Sequence, residues 1–144
     1  KKKKEKDDGI RRSQRLLLTW LIERPQLFEK IEGIISAEDF REPLYHEVAC
    51  MVFDGHKQGS LNPAGILNRF INDEEQYKQV AALFNASLQD SLNNEEQRKA
   101  FSETVLKVKK NSLDEASRSA TDIAQLQEII RQQAALKTLQ ISID

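Results

Sequence analysis

The chain has 144 residues, 39% hydrophobic and 31% charged, enough to bury one core with a small appendage and too few for a large multidomain enzyme. Its 22 basic and 23 acidic residues leave a formal net charge of -1, which argues against a dedicated duplex-binding surface and favours protein partners. The single cysteine, Cys50, excludes an internal disulfide, and no apolar run approaches the roughly 18 residues of a membrane helix, so the chain reads as cytoplasmic.

The opening KKKKEKDDG, residues 1–9, contains no apolar side chain and reads as an exposed linker end. With no initiator Met and no apolar signal region, the sequence is expected to be a piece of a longer protein. From Arg11 the pattern changes to RRSQRLLLTWLIERP, where Leu16, Leu17, Trp20 and Leu21 fall at helical spacing and Leu18 and Ile22 widen the stripe. That spacing predicts a central core helix, ended by Pro25, which opens a short helix facing Leu27, Phe28 and Ile31 inward.

The next stretch holds Ser, Asp, Glu, His and Cys close together, as an active site might, yet it also reads as helix punctuation. Ser36 followed by Asp39 has capping-box spacing. Pro43 suits a first helical position, with Leu44, Tyr45, Val48, Ala49 and Val52 forming one stripe behind it. Gly59 is a stop, and Asn62-Pro63 launches a helix with Ile66, Leu67, Phe70 and Ile71 on its apolar side. A further helix is expected to face Tyr77, Val80, Ala81 and Phe84 inward.

From Asn94 onward there is no Gly or Pro, and the segment is rich in Glu, Lys, Gln, Ala and Leu, as long exposed helices are. Phe101, Val105 and Val108 anchor its start. Beyond Lys110 the apolar residues thin out and the helix is expected to leave the globule. Residues 117–122, SRSATD, supply a turn, and a last helix follows from about Asp122 to Gln140. The fold class is therefore all-α: a helical bundle, a long helix and a C-terminal helical hairpin, divided as a linker remnant (1–9), bundle (10–110) and hairpin (111–144).

Three constellations carry chemistry. His46 and Cys50, four apart on one helix, offer half of a zinc site or a nucleophilic pair, but no matching second pair exists and Cys50 lies on an apolar stripe; the plain reading is a buried thiol. No glycine pattern cradles a phosphate, and no cofactor or small-molecule substrate is expected. Arg11, Arg12 and Arg15 could receive an acidic peptide or form an ordinary solvated face. In the last helix, Ile123, Leu126, Ile129, Ile130, Leu136, Leu139 and Ile141 exceed what one facing helix needs. With Gln132, Gln133 and Lys137 as a polar rim, they are the candidate partner surface.

In order, RRSQRLLLTWLIERPQLFEKI, then ISAEDFREPLYHEVACMVFDGHKQGSLNPAGILNRF, then a long polar helix ending IAQLQEIIRQQAALKTLQISI, resembles the C-terminal helicase-binding domain of bacterial primases, the DnaG family. The resemblance rests on the basic-then-leucine first helix, on Phe40, Pro43 and Tyr45, and on the junction at Gly59, Asn62 and Pro63, which are helix-packing features and not catalytic motifs. It implies a bundle structurally similar to the N-terminal domain of the replicative helicase, followed by a hairpin that docks primase onto that hexamer in the bacterial replisome. It also implies that catalysis lies elsewhere in a primase-type DNA-directed RNA polymerase. A secondary expectation is that Arg11, Arg12 and Arg15 receive the acidic tail of a single-stranded-DNA-binding protein. The competing readings are the helicase's own N-terminal collar domain and, from another class, a small Cys/His metal protein or enzyme.

Overall fold

The computed structural model describes residues 2–59, 61–85 and 93–138. Among them are seven α-helices and no strand: α1 (Lys2–Glu23), α2 (Phe28–Ile31), α3 (Pro43–Lys57), α4 (Pro63–Arg69), α5 (Glu74–Asn85), α6 (Asn94–Ser119) and α7 (Ile123–Leu136). Single 3-10 turns at Pro25–Leu27 and Ala37–Asp39 join the early helices. The all-α expectation holds.

Helix α1 is the spine, packed against α3, α5 and α6. Leu17, Leu18 and Leu21 are fully buried, and Trp20 meets Phe101 of α6 edge to face with ring centroids 5.8 Å apart. The helix begins well ahead of Arg11, where the apolar pattern starts. Lys and Glu are good helix formers, so a helix anchored by the buried leucines can propagate N-terminally beyond the apolar pattern. Its end is set by Pro25, the first residue of the following 3-10 turn.

Local signals explain the other boundaries. Asn62 accepts the Gly65 N–H at 3.1 Å as the N-cap of α4. Asn93 and Glu96 cap α6 reciprocally, each side chain accepting the other's backbone N–H at 2.8 and 3.1 Å. Gly59, at φ +78°, takes the left-handed conformation that stops α3, which glycine adopts without a Cβ clash. Two expected inward residues point elsewhere: Ile71 is 61% exposed and Tyr77 37%. Helix α5 meets α1 through the fully buried Val80 and Leu83, so its first turn, Tyr77 included, lies outside that contact.

Asp39 does more than cap a turn. Its Oδ2 accepts the Ser36 N–H at 2.9 Å, while Lys109 Nζ donates to both carboxylate oxygens at 3.3 Å and Ser112 Oγ donates to Oδ1 at 2.6 Å. Arg41 reaches the same serine, its Nε donating to Oγ at 3.4 Å and its terminal nitrogen to the Ser112 carbonyl at 3.2 Å. A polar cluster thus ties the 36–41 segment to the middle of α6, and Asp39 and Ser112 are buried. Consistent with that tie, Ser112 and Leu113 remain buried beyond Lys110, and α6 runs unbroken to Ser119. The first arm of the hairpin is therefore a rigid continuation of a bundle helix.

Candidate protein-docking surfaces

Helix α7 turns back along α6. Asp122 caps it, accepting the Gln125 N–H at 2.7 Å, and Gln133 Nε2 donates to Asp114 Oδ1 of α6 at 3.1 Å. This fixes the rotation of α7 and sorts the sequence candidates. Ile123 and Ile130 are 74% and 53% exposed. Seven residues apart, they share one outer face. Leu126, Gln132, Gln133 and Leu136 are half-buried, and Lys137 is exposed. Ile129 is only 7% exposed and, with Leu113, is buried apart from the main core. Ile129 therefore holds the hairpin together and offers a partner almost no surface, which corrects its place among the candidates. Leu139 and Ile141 lie outside the described residues.

The arginines of α1 do meet a shared cleft. Arg11, Arg12 and Arg15 line it with Tyr45 of α3 and Lys78, Gln79 and Ala82 of α5, around a volume of about 470 Å³. Arg11 donates to Gln79 Oε1 at 2.9 Å, its guanidinium carbon lies 6.0 Å from the Tyr45 ring centroid, and its Nε is 3.8 Å from Glu42. Arg11 is held by these neighbours, whereas Arg12 and Arg15 project from the wall as exposed cations. Lys78 and Gln79 were not legible as members of this site because they come from a helix more than sixty residues further along the chain.

His46 and Cys50 also come together, with Nε2 and Sγ 3.7 Å apart. His46 Nδ1 lies 2.9 Å from the Ala37 carbonyl and must donate to it, leaving Nε2 to accept the thiol proton. The chemistry of the pair is unfavourable for a nucleophile. Burial pushes the Cys50 thiol pKa up, and the nearby carboxylates of Asp54, Glu38 and Glu47 push it the same way. His56 stacks face to face on Phe28 with centroids 4.0 Å apart, away from that pair's hydrogen bonds. Among the described residues no three of His, Cys, Asp and Glu converge on a metal-sized site, and no helix is long and apolar enough to cross a membrane.

Comparison with known protein-family models, curated proteins and solved structures gives no match.

Proposed function

We propose that this chain is a non-catalytic interaction module that recruits a bacterial primase to the N-terminal collar of the hexameric replicative helicase, with α7 as its docking element. The observation that carries this reading is the outward pair Ile123 and Ile130, two large apolar side chains left in solvent on a helix that already buries Ile129 on its α6 side. Exposed isoleucines on one face of a rigid hairpin suit a partner that lays a helix or helix pair across them. The order of helix-packing residues from Arg11 to Phe70 supports the primase assignment.

Ile123→Asp and Ile130→Asp should each weaken binding to the helicase N-terminal ring roughly tenfold, because each places a charge at the centre of an apolar contact. Ile71→Asp, at a residue of intermediate exposure between those two but in the turn after α4, serves as the control and should leave the affinity unchanged. Equal losses at all three positions in a binding titration would contradict α7 as the docking element.

The cleft formed by α1, α3 and α5 favours a second contact. Four cationic side chains, Arg11, Arg12, Arg15 and Lys78, and the Tyr45 ring suit the acidic tail of a single-stranded-DNA-binding protein, whose carboxylates would pair with the exposed guanidinium groups. Arg12→Glu with Arg15→Glu should abolish most of that tail's affinity at low salt, and an unchanged affinity by fluorescence anisotropy would remove the assignment.

A further inference from the structure

Helices α6 and α7 do not close against each other along their whole length. Between them lies a groove of about 460 Å³ whose lining is mostly apolar, floored by the half-buried Leu106 and Leu136. Its rim is cationic: Lys107 and Lys110 stand on the α6 side and Lys137 at the end of α7. One acid, Asp114, belongs to the lining, and it is already engaged by Lys110 Nζ at 3.7 Å and Gln133 Nε2 at 3.1 Å. Lys107 and Lys137 have no carboxylate partner among the described residues, and both are exposed.

We infer that this groove seats an amphipathic helix of the partner whose apolar ridge is flanked by Asp or Glu residues. A groove between two antiparallel helices is shaped for a third helix, whose ridge of side chains fills the gap above Leu106 and Leu136. The lysines then select the flanking charge, since acids beside the ridge gain two unpaired ammonium groups and lysines there meet like charge. This inference rests on the hairpin being the docking element, and it adds what the partner must carry.

Two designed amphipathic peptides with the same leucine face, one with Glu and one with Lys at the flanking positions, test it by fluorescence anisotropy on the full chain. The Glu peptide should bind, lose roughly tenfold in affinity between low and physiological salt, and lose a similar factor with Lys107→Glu/Lys137→Glu. The Lys peptide should bind only that doubly reversed chain. Both lysines are exposed, so the melting temperature should not move; a chain that unfolds on reversal is replaced in the test by Lys107→Gln/Lys137→Gln, for which the Glu peptide should still weaken. Equal binding of the two peptides, displacement of the Glu peptide by a single-stranded oligothymidine, or dimerisation of the chain through the groove would overturn the inference. The helicase N-terminal ring provides the second arm. If the ring binds the parent and the reversed chain alike, recruitment through α7 stands and the groove assignment falls. If the ring binds neither while the peptides discriminate as stated, the groove stands and the recruitment reading falls.

Discussion

Replacing Asp39 by Ala should destabilise the chain by about 3 kcal/mol, one of the two largest single-residue effects expected. The Lys109 side chain is only 18% exposed and that of Asp39 8%, so removing the carboxylate strands an ammonium group away from both water and its counter-ion. The same change deletes the acceptor of the Ser36 N–H and of the Ser112 hydroxyl. For a chain of this length, the loss corresponds to a melting temperature lower by roughly 10 °C. Asp39→Asn keeps an acceptor for the backbone N–H and should cost about half as much. Asp39→Asn with Lys109→Met removes both charges together and should recover part of the loss, because a buried ion pair replaced as a unit is often near neutral. Thermal melts of the four proteins decide it. A wild-type melting temperature for Asp39→Ala would show that the cluster does not hold α6 to the 36–41 segment.

The second large effect concerns Ile129. From sequence alone Ile129→Asp is expected to disturb only partner binding, but with 7% of the residue exposed the charge would be placed inside the α6–α7 contact. We expect α7 to detach locally at a cost of about 3 kcal/mol, with loss of the helical signal of its 14 residues, while the bundle core stays folded. The core cluster, drawn from α1 to α6, does not include Ile129, which is why the two should uncouple. Hydrogen exchange reads this directly: α7 amides should lose protection while those of α1 keep it. Wild-type protection of α7 in the variant would mean that the hairpin is held by contacts other than Ile129. Partner-binding losses measured with Ile129 variants therefore report hairpin folding, and Ile123 and Ile130 are the informative positions.

What could be read from the sequence follows the range of the interactions. Caps and stops act within a few residues, so Asn62, Gly59, Asp122 and the terminating Pro25 were visible in advance and stand where expected. The apolar stripe of α1 was equally legible, since burial on three sides leaves little freedom in which residues face inward. Interactions between residues about seventy apart were not visible. Asp39 looked like a turn cap, and only the fold brings Lys109 and Ser112 to it. Nothing local places the buried Gln14 beneath the start of α3 either, where its Oε1 accepts the Glu42 N–H at 3.0 Å. Helix rotation was the other limit: the last helix offers apolar residues on several faces, so periodicity alone could not separate the buried Ile129 from the exposed Ile130.

The most direct test of recruitment is a calorimetric titration of the intact chain into the N-terminal ring of the replicative helicase, beside the same titration with Ile123 to Asp144 removed. The intact chain should bind with a dissociation constant of about 1 to 10 μM and the shortened chain should give no measurable heat. No binding by the intact chain at micromolar concentrations, or equal binding by both, would contradict docking through the hairpin.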